Sequence, residues 1–232
     1  MRSRRRVALC NLAACLPELD EGARQQLARA HFESVGMGLV ELGMSWWAPA
    51  SRLRGRLRVE GQEHLERVHA EGRGVLLVSA HFTSIDISGR LFVPGAPPMH
   101  VLYRHQNNPV IDYLMRRGRE RIFAGTIARD DTRELIRVLR QGGIVWYAPD
   151  QAYTGKHSAL VPFFGVPAPT NTATSRIARM AGAAVLPAFM ERDLERGGYM
   201  ARIHPPLEGF PSDDPVADTA RIHSYIEAQI RR

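Results

Sequence analysis

The chain has 232 residues, 44% of them hydrophobic, and a formal net charge of +7 from 31 basic and 24 acidic side chains. That length and composition suit one α/β domain with a sizeable core, and no polar low-complexity segment or solenoid-length repeat points to disorder or a repeat array. No run of 18 apolar residues is present, so no transmembrane helix is encoded.

Lys156 is the only lysine, so the positive charge is carried by arginine, which suits bidentate contacts to phosphate and carboxylate. A basic chain can meet nucleic acid, anionic lipid or an acidic protein, and charge alone does not choose among them. Neither zinc-finger spacing nor an RNA-binding signature supports nucleic acid.

In chain order, Arg2, Arg4, Arg5 and Arg6 precede residues 7–16, which are apolar apart from Asn11. No small-residue cleavage site follows, and Pro17, Glu18 and Asp20 suit one helix ending and another beginning. Cys10 and Cys15 fall on different helix faces, lack redox spacing, and read as buried, reduced thiols. Residues 21–47 form an amphipathic helix with Phe32, Val35, Leu39, Leu42 and Trp46 on one stripe. That stripe either packs on the core or meets a membrane interface. Trp46 and Trp47 at the helix end, followed by Arg52, Arg54, Arg56 and Arg58, suit the latter.

From residue 57 strands and helices alternate, which predicts a mostly parallel central sheet with helices on both faces. Strands are expected at 57–60, 74–80, 99–103, 144–148, 183–190 and 199–204. Helices are expected at 62–71, from Thr83 or Ser84 to about 91, at 108–120, from Asp130 or Asp131 to 139, from Thr170 or Asn171 to 180, and at 214–230. The apolar run at 74–80, GVLLVSA, reads as a central strand buried on both faces. Residues 1–56 then form a helical, membrane-proximal region and 57–232 the α/β core, without a linker between them.

Sites in open α/β sheets lie beyond the carboxyl ends of the strands. There the sequence places His81 and Asp86, Asp150 with Gln151, and Arg104. A histidine at a strand end and a carboxylate in the next helix's first turn can share a cleft. The carboxylate then fixes one ring nitrogen and leaves the other as a base. An H-x4-D pair arises by chance about once in such a composition, so spacing alone is weak, and a core histidine capped by a helix carboxylate is the plainer account. No G-x-S-x-G elbow surrounds Ser79 or Ser84, no phosphate-binding glycine loop occurs, and His64 and His69 are misaligned for a metal.

Several blocks together resemble the bacterial lipid A biosynthesis acyltransferases, within the wider glycerolipid acyltransferase superfamily. They are HFTSIDISGRL at 81–91, YRHQNNP at 103–109, the arginine- and leucine-spaced run at 129–142, VWYAPDQ at 145–151 and VPFFGVPAPT at 161–170. The resemblance covers residues 5–230. It implies a glycerolipid-acyltransferase-like fold, His81 as catalytic base and Asp86 as its acidic partner.

It further implies Arg104, Asn108, Arg119, Asp150, Gln151, Phe164 and Gly165 in substrate binding. Phe163, Phe164 and Gly165 would shape an acyl-chain pocket or pack in the core. Arg116, Arg117 and Arg119 would contact phosphate or form a solvated face, and Pro109 would start a helix. The implied donor is an acyl thioester of acidic acyl carrier protein and the implied acceptor a lipid A precursor, with no metal, no cofactor and no nucleic acid. The implied location is the cytoplasmic face of the bacterial inner membrane, with peripheral attachment.

Asp86 stands where many such enzymes carry glutamate. The hydrophobic anchor and the Trp- and Arg-rich extension usual at the two ends are missing from this sequence, which reads as shortened. The alternatives are a glycerophospholipid acyltransferase with the same motif and a silent membrane- or carrier-binding module.

Overall fold

The computed structural model describes residues 2–53, 55–91 and 97–232. Arg54, counted above with the interfacial arginines, lies outside them. In chain order the elements are α1 (Arg2–Cys15), α2 (Glu21–Trp47), α3 (Ala50–Leu53), β1 (Leu57–Glu60), α4 (Gln62–Ala70), β2 (Val75–Val78), α5 (Ile85–Leu91), β3 (Met99–Tyr103) and α6 (Pro109–Glu120). There follow β4 (Gly125–Ala128), α7 (Thr132–Arg140), β5 (Ile144–Tyr147), β6 (Ser158–Phe163), β7 (Val166–Asn171), α8 (Ala173–Ala181), β8 (Ala184–Asp193), β9 (Gly198–Ile203) and α9 (Pro215–Ile230).

Seven strands form one sheet in the order β1-β9-β8-β2-β5-β3-β4. Every pairing is parallel except β8 with β9, a hairpin that turns β9 and its parallel partner β1 against the rest. Alternate side chains of β2 feed opposite layers, as the two-residue period of a strand requires. Leu76 and Val78 join Leu135 and Leu139 of α7, Ile177 of α8 and Ile222 and Ile226 of α9. Val75 and Leu77 join Leu65 and Val68 of α4. β2 is buried along its whole length, so its apolar run needs no polar face.

Side-chain caps mark several helix starts. Asp20 accepts from the amide of Ala23, Asn108 from Val110 and Ile111, Asp131 from Glu134, and Asp214 from Val216 and Ala217. Neither Thr83 nor Ser84 caps α5 in this way. Thr83 Oγ1 instead meets Ser34 and Arg192, and Ser84 Oγ donates to the Met190 carbonyl. Asn171 serves α8 by accepting from the amide of Ala173.

The sequence reading missed β4 and the β6–β7 hairpin. β4 is four residues with two small ones, and Pro162, Pro167 and Pro169 obscure the hairpin's strand signal. Both are edge or two-stranded elements, where proline and short length are tolerated.

α2 keeps its predicted span, and of its two expected settings the stripe residues Val35 and Leu39 take the outward one. Its buried residues are Ala28, Glu41 and Ser45, whereas Val35, Met37, Leu39, Val40 and Trp47 are exposed. The polar side is inward because Arg192 of β8 needs it: its guanidinium grips both carboxylate oxygens of Glu41, at 2.6 and 2.7 Å. The same guanidinium reaches Ser34 and Thr83, and Tyr199 donates to Glu41 at 2.9 Å. Gly38 completes the fit, since a Cβ there would stand 2.5 Å from the Thr83 carbonyl oxygen. Cys10 is exposed and Cys15 half-buried, both free thiols, so the expected burial does not hold. α1 leaves most of its surface outside the core and has no interior to place them in.

Candidate active site

β2 and β5 are parallel neighbours with Val78 opposite Tyr147. Three residues beyond each strand stand His81 and Asp150, so the register itself brings them side by side. Asp150 Oδ1 lies 2.6 Å from His81 Nδ1, and its Oδ2 accepts the His81 backbone amide at 3.0 Å. A carboxylate oxygen accepts, so the shared proton sits on Nδ1, and in the neutral ring the lone pair is then on Nε2. The Trp146 ring stands edge-on to the imidazole at 6.5 Å and limits its tilt.

Asp86 does not hold His81. It sits in the first turn of α5 and takes Nη2 of Arg119, from the last turn of α6, at 3.3 Å. This corrects the expected His81–Asp86 pairing. The acid that holds the His81 ring follows the neighbouring strand, while the acid of the H-x4-D motif positions a cation. Arg119 is further set by the Tyr103 ring, 5.4 Å from its guanidinium carbon.

α6 is tied down by Asp112, which accepts from the Gln106 amide at 2.7 Å and from the Tyr103 hydroxyl. That hydroxyl is pushed up to about 12, first by burial and then by its bond to Asp112. The Tyr103 bond chiefly holds the Asp112 carboxyl down at about 2. Gly118 lets α2 approach, because a Cβ there would lie 2.4 Å from the Trp46 ring.

His81, Asp86, Arg104, Asn108, Arg119 and Gln151 all line one cavity of about 990 Å³. Its apolar wall includes Trp46, Val101, Leu102, Phe123, Trp146 and Ile177. An imidazole fixed at Nδ1, an oriented guanidinium and an apolar trough together suit transfer of a hydrophobic group to a hydroxyl.

The sequence profile described as bacterial lipid A biosynthesis acyltransferase matches residues 1–232. The chain belongs to this family. It is an acyltransferase, in agreement with the resemblance its motifs carry. It is 37% identical over 233 residues to the lipid A biosynthesis palmitoleoyltransferase of Escherichia coli K12, a match covering 100% of this chain and 76% of that protein. It is 38% identical to the lauroyltransferase of the same organism, over 98% of this chain and 74% of that one. The myristoyltransferase of that organism is 26% identical over 97% of this chain and 70% of its own length. Among solved structures, the 1-acyl-sn-glycerophosphate acyltransferase of Thermotoga maritima aligns with a TM-score of 0.46 at 17% identity, over 100% of this chain and 99% of that one.

In this acyltransferase the remaining predicted residues divide. Arg104 is exposed one residue past β3 and faces the cavity with no carboxylate in ion-pair range among the described residues. Asn108 does two jobs, capping α6 and lining the cavity. Arg116 pairs with Glu120 on the α6 surface.

Phe164 and Gly165 are not at the cavity. They form the two-residue turn between β6 and β7, with φ of 51° and 75°, the left-handed pair that a tight hairpin of this hand requires. The Phe164 amide donates to Glu227 of α9 at 2.8 Å, and Arg231 covers its ring. Their contacts are with the last helix, so the expected acyl-pocket role is corrected to hairpin packing. The apolar wall comes instead from β3, β5, α2, α8 and the segment after α6, which only the assembled fold brings together.

Proposed function

We propose that this chain transfers a fatty acyl group from an acyl–acyl carrier protein thioester to a hydroxyl of a lipid A precursor, with His81 as general base. The observation that carries the reading is the His81–Asp150 pair: a ring fixed at Nδ1 with Nε2 free, in a cavity with an apolar wall. Nε2 takes the acceptor's hydroxyl proton as the oxygen attacks the thioester carbonyl carbon. Asp150 stabilises the imidazolium that forms. The carbonyl oxygen becomes an oxyanion, which Arg119, held by Asp86, and Arg104 stabilise. Collapse re-forms the carbonyl and breaks the C–S bond, and the imidazolium returns the proton to the departing thiolate. The acyl group passes directly, without an acyl-enzyme.

The exposed arginines suit an acidic carrier protein. The outward apolar face of α2 suits a membrane surface at the cytoplasmic side of the inner membrane, where donor and acceptor meet. Among the described residues no helix is long and apolar enough to cross a membrane.

The test is transfer of a labelled acyl chain from its carrier protein to a tetra-acylated lipid A precursor, followed by product analysis. The wild-type chain should form the ester, and His81→Ala should reduce kcat by about 10²–10⁴. Equal turnover by the two chains would remove His81 from the chemistry. Esterification of a lysophospholipid in preference to the lipid A precursor would reassign the acceptor.

A further inference from the structure

The cavity extends past the His81 centre to a flank with a different chemistry. α7 follows β4 and so begins at the carboxyl edge of the sheet. α8 precedes β8 and so begins at that same edge, and the two helices pack together. Their starts bring Arg129, just before α7, and Arg176, in the first turns of α8, to the cavity wall with His157. Both arginines are exposed, and neither has a carboxylate in ion-pair range among the described residues. The one acid lining this flank is Asp130.

Arg176 is nevertheless held in place. Its Nη1 lies against the His157 ring, 2.6 Å from Nε2 and 3.1 Å from Nδ1. The carbonyl of His157 accepts both the amide and the hydroxyl of Thr172, each at 2.9 Å, which ties the histidine to the start of α8. Burial, then the neighbouring Arg176 and Lys156, hold the His157 imidazole below its ordinary value, which favours the neutral ring beside the guanidinium. A guanidinium oriented by a neutral ring keeps its charge uncancelled, unlike one oriented by a carboxylate. This contrasts with Arg119, whose charge the Asp86 carboxylate partly offsets. Preorganised, uncompensated guanidinium groups bind phosphate through paired N–H donors.

We propose that Arg129 and Arg176, the latter held by His157, form a phosphate-ester subsite that anchors a substrate while His81 acts on it. The inference rests on the lipid A acyl-transfer reading for the identity of the substrate. The phosphate is then either one on the acceptor's sugar or the phosphodiester in the donor's phosphopantetheine arm.

The experiment measures equilibrium binding to the His81→Ala chain, with and without Arg129→Gln and Arg176→Gln. Three probes are used: a tetra-acylated bisphosphorylated glucosamine disaccharide, the same lipid with its phosphates removed, and acyl–acyl carrier protein. Arg179→Gln, on the same helix but paired with Asp213, is the control for loss of surface charge and, by thermal melting, for folding.

Each cavity arginine replaced should weaken the phosphorylated probe by about ten-fold and leave the dephosphorylated lipid unchanged. Weakening confined to the acyl carrier protein would place the donor's phosphodiester in the subsite. Unchanged affinity for all three probes in a folded double variant would overturn the subsite. So would equal weakening with and without the lipid's phosphates. Because binding is read without turnover, failure of wild-type acyl transfer would count against the proposed function and not against this subsite.

Discussion

Asp150→Asn leaves the His81 ring its neighbour but removes the charge that stabilises an imidazolium, and an amide can turn its NH₂ toward Nδ1 and favour the wrong tautomer. The expected result is a fall in kcat of about 10²–10⁴ with little change in KM. Asp86→Asn acts one step further away, through Arg119. Its loss should be smaller, about ten- to a hundred-fold, and should not add to that of Arg119→Gln, because the two groups form one pair. A double-mutant cycle on kcat checks this; additive losses would show Asp86 acting apart from Arg119. At this scale the sequence marked candidate residues at strand ends but not who touches whom. His81 and Asp86 stand in a local motif, and Asp150 ends another apolar run. Pairing His81 with Asp150 needs β2 beside β5 in register, and strand order is not written in either run. Arg129 opens the run at 129–142 and Arg176 stands in no quoted block, and only the packing of α7 on α8 brings them to one flank.

Among the elements, α2 carries the largest consequence of burial. Glu41 and Arg192 are both nearly withdrawn from water, with side chains 9% and 11% exposed. Removing one partner leaves a buried charge unpaired, so Arg192→Met should destabilise the chain by roughly 3–5 kcal/mol in urea denaturation. The double variant Glu41→Leu/Arg192→Met should recover most of that stability. It should still lower kcat, because Thr83, two residues from His81, loses its guanidinium donor.

The same cluster sets an alkaline limit. Burial first, then the bond to Glu41, push the Tyr199 hydroxyl up to about 12. A group whose value is raised in the fold contributes stability that is complete below its unfolded value, about 10, and is lost as pH climbs toward 12. Tyr199→Phe should therefore be less stable than the wild type near neutrality by about 1.5 kcal/mol. The gap should close between pH 10 and 12; a gap independent of pH would show that the bond does not govern the limit. The span of α2 was legible from its capping aspartate and terminal prolines. Its orientation was not, because a periodic stripe tells which residues share a face and leaves open which face turns inward.

For the whole molecule, the alternation of apolar runs with helical segments made the parallel sheet readable, since strands buried on both faces carry no polar alternation. The β8–β9 reversal follows from the short link at 194–197, which is too brief for the crossover a parallel pairing needs. What the assembled fold adds is a coincidence of surfaces. The outward side of α2 presents Leu39, Val40 and Trp47 at 68%, 66% and 64% exposure. The inward side of the same helix supplies Trp46 to the cavity wall. Apolar surface turned away from the core, on a chain of net charge +7, is what an anionic bilayer recruits.

The side of α2 turned to the sheet carries the Glu41–Arg192 pair instead. The wild-type chain should therefore sediment with anionic vesicles at low salt and release as salt rises. Leu39→Ser/Val40→Ser/Trp47→Ser should bind at least about ten-fold more weakly, with the fold intact because none of the three is buried. The salt dependence should persist in that variant, since the arginines are untouched. Wild-type binding with no difference between the two chains would move the contact from α2 to the charged surface alone, and indifference of the wild-type chain to vesicles would refute membrane attachment by this face.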